Sequence, residues 1–332
     1  MSFTEEDIRP KEFDEGKKKA LHEDIEWLKT KKDEFVEVLC PACNADKNPD
    51  FLEKYTFQFK RCIDCRTVYM SPRPTEEIIA EFFATSKIYE YWSKYIFPAT
   101  LETRREKLFK PRAERIVNLC NRRNHPTNCL MEVGPGYGTF CEELKKLNVF
   151  NRIIAVEPHK DLADNCRSLG LEVIESTIEQ VDLSSNKPDI ILLFEVIATL
   201  FKPELLFQAC ARNMDKGGLF VVTCPNYEGL DMLELGANSD SVDNENINLF
   251  NPDSMTILME RCGFKVVELE TPGELDVGIL RDKALSGIYD ASKHPFLEKI
   301  LLEKFNTLGA PLQEFLKTNQ LSSSMWIVAE KT

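Results

Sequence analysis

From residue 129 onward, short apolar runs alternate with stretches of helical spacing. CLMEV (129–133), RIIAVEP (152–158), LEVIE (171–175), DIILLFEV (189–196) and GGLFVVTCPN (217–226) are rich in β-branched residues and hardly alternate with polar ones. Such runs predict parallel strands buried on both faces, with helices as crossovers. The stretch DSMTILMERCGF reads as a helix and FKVVELET (264–271) as a sixth strand. MWIVAEK (325–331) closes the chain as a last strand, and residues 273–324 read as a mostly helical insertion before it. The predicted class is α/β with a doubly wound sheet over residues 126–332.

Ahead of this region the pattern changes. Residues 16–34 predict a charged helix with a thin apolar stripe of Leu21, Ile25 and Leu28, within an N-terminal segment 1–35. Residues 36–74 then carry two close cysteine pairs on turn-like sequence. Cys40 and Cys43 form one CxxC, and Cys62 and Cys65 form another after eighteen intervening residues. Two such pairs predict a four-thiolate zinc ribbon, a structural Zn2+ that staples a segment too small for its own core. Four thiolates leave the metal no open position, so catalytic metal chemistry is not expected. Residues 75–125 predict a helical cap, aromatic at first (Tyr89, Tyr91, Trp92, Tyr95, Phe97) and then basic. Between Lys94 and Arg123 nine Lys and Arg stand against three Glu, which raises the prospect of a lid facing an anionic acceptor.

Charge and cysteine usage narrow the classes. The chain has 332 residues and a net charge of −13, which gives it no general attraction for nucleic acid. No apolar run is long enough to span a bilayer. The charged N-terminus lacks a signal core, and the eleven cysteines fit a reducing cytosol better than a disulfide scaffold, so a cytoplasmic location is expected.

The stretch CLMEVGPGYGTF supplies the sharpest chemical signal. A dinucleotide fingerprint starting at Gly134 requires Gly or Ala at position 139, and Thr139 stands there. The third glycine comes one position early, at Gly138. Glu132, two residues before Gly134, would repel a diphosphate and suit a cationic ligand. Glu157, nineteen residues after Gly138, ends the second strand and can accept both hydroxyls of a ribose.

These residues resemble the class I SAM-dependent methyltransferases. MEVGPGYGTF resembles the family's first motif, AVEP the second, PDIILLFEVI the fourth-strand motif and GGLFVVTCPN the fifth strand. FNPDSMTILMERCGFKVVELETPGELDV and SSSMWIVAEK are similar to a bacterial subgroup that often carries an N-terminal zinc ribbon and acts on sugars, nucleotide-linked sugars or surface-polysaccharide precursors. The resemblance implies a Rossmann-like methyltransferase sheet closed by an antiparallel strand. It implies S-adenosylmethionine (SAM) as cosubstrate and carbohydrate modification as the activity. By position it places Glu132 near the methionine amino group and wraps Gly134, Gly136 and Gly138 around the methionine. It puts Glu157 on the ribose with Pro158 beside the adenine, and Ser176, Thr177 and Ile178 at the adenine's edge. Phe194 and Glu195 would face cofactor and acceptor.

The chain departs from its relatives where they carry histidines. Ala198 and Thr199 replace a Glu-His, Asn246 stands for a His, and Ser324 for another. His22, His125, His159 and His294 lie elsewhere and read as surface residues. A hydroxyl or carbon acceptor normally needs a base. The candidates are Glu195, Tyr227, Asp243 and Glu245, with Asn246 as an orienting group. The loop Thr271–Asp276 and the insertion after it are expected to help form the acceptor pocket. Two other activities fit less well: RNA methylation, against which the charge speaks, and SAM binding with reduced catalysis.

Overall fold

The computed structural model describes residues 4–184 and 186–332. Helix α1 (Asp14–Thr30) buries Ile25 and Leu28 as the apolar stripe requires, and also buries Asp24. Strands β1 (Asp50–Lys54), β2 (Phe57–Arg61) and β3 (Val68–Met70) form an antiparallel meander around the four cysteines. Helix α2 (Glu76–Thr85) starts at Thr75, whose hydroxyl accepts the Ile78 N–H at 3.4 Å.

Helices α3 (Lys87–Tyr91), α4 (Phe97–Arg104) and α5 (Lys110–Arg123) join into one rod through two π-helical turns, Trp92–Ile96 and Arg105–Phe109. Each π turn lies just before a proline, Pro98 or Pro111. Proline lacks the N–H that an α ladder needs, and its ring crowds the preceding turn, so the ladder slips to wider spacing there. Asn124 ends the rod in a left-handed conformation.

The remaining chain is β4 (Cys129–Val133), α6 (Thr139–Lys146), β5 (Arg152–Val156), α7 (Lys160–Ser168), β6 (Glu172–Ile174), β7 (Ile190–Phe194), α8 (Pro203–Arg212), β8 (Leu219–Pro225) and α9 (Leu230–Leu235). After these come β9 (Asn248–Leu249), α10 (Pro252–Arg261), β10 (Phe264–Glu270), α11 (Asp276–Leu285), α12 (Pro295–Glu298), α13 (Phe305–Thr318) and β11 (Ser324–Lys331). Seven strands form the central sheet in the order β10-β11-β8-β7-β4-β5-β6. The four pairings among β4 to β8 are parallel, and β11 slots antiparallel between β8 and β10. The topology reverses between β4 and β7, where open α/β sheets bind ligands at the carboxyl ends of their strands. The apolar runs read from sequence are these strands, and Leu130, Ile191, Leu192 and Val221 are fully buried.

The cysteine segment is not a free-standing knob. β9, from the far side of the chain, pairs antiparallel with β3 and completes a four-stranded sheet, order β1-β2-β3-β9. Asn251 caps α10 and donates its side-chain N–H to the Cys65 carbonyl at 2.9 Å. Arg66 pairs with Glu228 at 2.7 Å and Asp253 at 2.8 Å. Residues 36–74 are thus held by the same loop that follows β8.

Candidate cofactor and acceptor site

The turn after β4 passes through Gly134, Gly136 and Gly138, all left-handed at φ of 70°, 56° and 71°. A Cβ at Gly134 would lie 2.8 Å from Val196 Cγ2, and one at Gly138 would lie 2.8 Å from Cys166 Sγ. A Cβ at Gly136 would meet nothing within 4 Å. Two glycines therefore admit close packing, and the middle one faces an open groove. The Gly136 N–H donates to Glu157 Oε2 at 3.2 Å, which puts that carboxylate beside the groove.

Glu157 follows β5 and is 5% exposed; its Oε1 accepts the His159 N–H at 3.0 Å. Burial holds it above the ordinary carboxylate range, against those two N–H bonds. Glu132, on β4, is 3% exposed and its Oε2 accepts the Cys141 thiol at 2.8 Å. Burial lifts it to about 7, while the thiol and the Arg112 charge pull the other way. Among the described residues neither carboxylate has an ion-pair partner. Two buried, unneutralised acids suit a nucleoside that carries a cation and oppose a diphosphate.

The cap covers this groove. Phe97 packs at a tilt against Tyr137 of the glycine turn, ring centres 4.8 Å apart, with the Arg104 guanidinium 4.9 Å over Phe97. Arg112 lies 4.7 Å over the Phe194 ring and 3.9 Å from Glu195 Oε1. Phe194 is buried edge-on to Phe140. Most of the cap's cations are already engaged. Arg105 meets Glu142 and Glu143, Lys107 meets Asp7, Arg115 meets Glu270, and Arg122 and Arg123 meet Glu268. They tie the cap to α6, to the N-terminal segment and to β10, and do not form a basic wall facing an anion.

Glu195 directly follows β7 in a left-handed conformation, φ 60°, uncommon for a residue with a side chain. The Thr223 hydroxyl donates to its Oε1 at 2.7 Å, and its side chain is half exposed at the groove mouth. Pro158 is exposed just beyond Glu157. Ser176 and Thr177 lie on the loop after β6, and Ile178 is buried in the core. All of these residues lie on turns at the carboxyl ends of β4 to β7.

Tyr227 requires a correction. It is 3% exposed and packs edge-on to Phe51 in the core shared with the cysteine segment. Its N–H bonds the Phe250 carbonyl at 2.8 Å, so the chain after β8 swings away from the groove, and burial raises the phenol to about 12. Its phenol lies in that core and not at the groove mouth. Asn246 is a brace: its N–H donates to Asp243 Oδ1 at 2.6 Å and its amide to the Ser241 carbonyl at 3.1 Å.

Asp243 and Glu245 stand two residues apart on the loop before β9, where Asp243 Oδ1 accepts the Glu245 and Asn246 N–H groups at 2.9 and 2.6 Å. Tyr89, on α3, lies near Glu245 and leaves 43% of its surface open. Asn244, between the two acids, is 3% exposed and neither end of its side-chain amide has a partner. Asn244 and Glu245 line a narrow crevice with Thr199, Phe82 and Phe83. Thr199 belongs to the short turn after β7 (Ile197–Thr199), whose neighbour Val196 touches the glycine turn. Asn248 ties this turn to β9 by donating to the Ala198 and Leu200 carbonyls at 3.3 and 2.7 Å. Sequence reasoning missed Tyr89 and Asn244 as members of this site. The aromatic cluster before the basic stretch was the one sequence signal for Tyr89, and Asn244 had none.

The loop Thr271–Asp276 does lie at the carboxyl edge of the sheet, since β10 runs parallel to β8. Asp276, however, is consumed internally. It accepts from Ser322 Oγ at 2.6 Å, Ser323 N at 2.5 Å and Gln313 Nε2 at 2.6 Å, and so pins the insertion to the start of β11.

The four cysteine sulfurs lie within 4.8 Å of one another, with Cys40–Cys65 and Cys43–Cys62 each at 3.5 Å. A tetrahedral site with metal–sulfur bonds of about 2.3 Å requires sulfurs about 3.8 Å apart, so the set could hold zinc. Two matching turns build it. The Asn44 N–H bonds the Cys40 carbonyl and the Arg66 N–H the Cys62 carbonyl, with Asn44 and Arg66 both left-handed.

The profile of a methyltransferase domain family matches residues 101–269. No curated protein matches the chain. Among solved structures, a SAM-dependent methyltransferase from Thermotoga maritima, described as a possible histamine N-methyltransferase, is 25% identical. That match covers 58% of this chain and 83% of the other, with a TM-score of 0.43. A SAM-dependent methyltransferase from Archaeoglobus fulgidus is 20% identical over 72% of this chain and all of the other, TM-score 0.49. One from Clostridium acetobutylicum is 12% identical over 74% and 98%, TM-score 0.47.

Proposed function

Starting from the premise that this chain belongs to the methyltransferase domain family and is a SAM-dependent methyltransferase, we propose that it methylates a small-molecule acceptor at the mouth of the groove between β4 and β7. The observation that carries this reading is the open face of Gly136 above the buried Glu157 carboxylate, with Glu132 close by and no paired cation at either acid. SAM bound there supplies an electrophilic methyl group on a sulfonium. The chain's own work is alignment. Glu157 accepts from the ribose, and the glycine turn leaves room for the methionine part. Glu132 adds negative charge where an ammonium lies, with Pro158, Ser176, Thr177 and Ile178 around the adenine. Phe194 and Glu195 border the transferring methyl, with Arg112 closing over them. Bringing an acceptor into line with an already activated methyl accounts for much of the rate in such a displacement. We further infer that Cys40, Cys43, Cys62 and Cys65 hold a structural zinc. The sugar class of acceptor rests on the resemblance of the C-terminal motifs alone.

Calorimetry with SAM and with its demethylated product, S-adenosylhomocysteine, tests the reading. Both should bind the whole protein with one site per chain. Absence of binding by either nucleoside sinks the reading. Native mass spectrometry should at the same time find one zinc per chain.

A further inference from the structure

On the reading that Cys40, Cys43, Cys62 and Cys65 hold zinc, we propose that Arg73 is a positioning residue with two roles. It is the countercharge of the metal centre, and it fastens that centre to the turn after β7 that walls the cofactor groove.

Arg73 follows β3 and is 1% exposed. Among the described residues no Asp or Glu forms an ion pair with it. Its Nε donates to the Met70 carbonyl at 3.0 Å and its Nη1 to the Phe201 carbonyl at 3.1 Å, while Nη2 has no partner. A guanidinium sealed from water without a countercharge is costly to keep. The Tyr69 ring, 5.9 Å away, offsets only part of that cost. Burial lowers Arg73 to about 9, and negative charge on Tyr69 and Cys40 acts the other way.

The cysteine set has the opposite need. Cys40, Cys62 and Cys65 are buried, and four thiolates around a dication leave an excess of negative charge. Other cations of this region are already paired: Arg66 with Glu228 and Asp253, Arg261 with Glu204, and Lys60 with Glu37. Tyr69 links the two partners. It packs in one cluster with Cys40, Cys62 and Cys65, and its hydroxyl accepts Asn48 Nδ2 at 2.9 Å. Asn48 in turn donates to the Ala45 carbonyl and accepts the Ile63 N–H, both at 3.1 Å, and so touches both cysteine turns.

On its other side Arg73 meets the groove. It holds the Phe201 carbonyl, and Asn248, paired with Tyr69 across β3 and β9, holds the Ala198 and Leu200 carbonyls. Three carbonyls of the segment after β7 thus rest on the sheet that carries the cysteines. The same segment begins with Glu195 at the groove mouth and Val196 against Gly134. A carbonyl has no net charge to neutralise a guanidinium. The turn uses the direction of the Arg73 fork, and the metal centre uses its charge.

Substitution separates the two roles in the whole protein. Competition with the chelator 4-(2-pyridylazo)resorcinol reads zinc affinity, and hydrogen exchange of peptides spanning residues 195–201 reads the turn. Arg73→Met keeps much of the packing and removes the charge. Zinc affinity should fall about tenfold or more, and the turn should exchange about tenfold faster. Arg73→Lys keeps the charge but not the fork that reaches both carbonyls. Its zinc affinity should stay within about threefold of the wild type, while its turn exchanges as fast as in Arg73→Met. Stripping zinc from the wild type with EDTA should quicken exchange in the turn more than in β4 and β5, a measurement that needs no variant to fold. Unchanged zinc affinity in Arg73→Met, equal losses in the Met and Lys variants, or a turn that responds to zinc removal no more than β4 and β5 would overturn the proposal. Each of these leaves the zinc reading standing as long as native mass spectrometry finds the metal on the wild type. A wild-type chain that holds no zinc would instead remove both.

Discussion

Glu132 and Glu157 are both lifted by burial, but they should answer differently to mutation. Glu157 faces the groove, so Glu157→Ala removes two acceptors from a ribose. Charge-assisted bonds are worth about 1.5–3 kcal/mol each, so affinity for S-adenosylhomocysteine should fall by about a hundredfold or more. Calorimetry on a variant with unchanged circular dichroism checks this. Glu132 predicts a pH effect. With its folded value near 7 against 4.5 for the free side chain, the ligand-free fold binds more protons than the unfolded chain between those values. Stability of the free protein should therefore fall as pH rises across that window. The groups facing Glu132 are Cys141, Arg112 and Glu157. A cationic nucleoside favours the ionised form, so SAM affinity should rise through pH 7 in the wild type relative to Glu132→Gln. Parallel pH profiles for the two proteins would remove Glu132 from the cofactor site. At this scale sequence was a good guide for the glycine turn, because strand, turn and carboxylate are contiguous. It misled at Tyr227. Proximity to the end of β8 placed that residue at the mouth, but the backbone bond from Tyr227 to Phe250 turns it into the core.

Among the elements, the strands of the central sheet were legible because each is a run of apolar residues long enough to have a pattern. β9 was not: two residues have no period, and its partner β3 lies almost 180 residues earlier. That pairing has a consequence. The four-cysteine turns, through Asn251 and the Cys65 carbonyl, brace the loop that carries Asp243, Asn244 and Glu245. Cys62→Ser should abolish zinc retention in native mass spectrometry and lower the melting temperature. In hydrogen exchange it should loosen that loop more than the nucleoside groove, because that groove rests on β4 and β5 instead. Equal losses at both sites would mean that the ribbon supports the whole fold and not that loop in particular. Arg105 offers a contrasting element test on the cap. It joins Glu142 and the 3% exposed Glu143 of α6. Arg105→Met leaves Glu143 with Lys146 as its remaining ion partner, so the cost in denaturant unfolding should be about 1 kcal/mol, short of that for an unpaired buried charge.

Across the whole molecule, charge separates small-molecule from nucleic-acid chemistry. The basic stretch 94–123 was the one sequence feature that favoured RNA. Sequence could not reveal its partners, because Glu142, Glu268, Glu270 and Glu330 lie on distant segments that only the fold brings to it. In the folded protein that stretch is largely neutralised by acids of α6, the N-terminal segment and the sheet, and the chain's net charge stays at −13. A protein that grips a phosphate backbone must offer several cations free to displace counterions, and each one steepens the dependence of affinity on salt. Here the cap's arginines are spent on cap closure, so added salt should act on the protein itself. Raising ionic strength should loosen the exposed pairs Arg122–Glu268 and Arg123–Glu330 with only a modest loss of stability, since such pairs contribute about 0–1 kcal/mol each. Binding to single-stranded or hairpin RNA should be weak at low salt and show a logarithmic slope near zero. A filter-binding titration across salt concentrations reads that slope directly. A slope of several units would mean that the cap opens and its cations meet phosphate, and the acceptor would then have to be sought among RNAs.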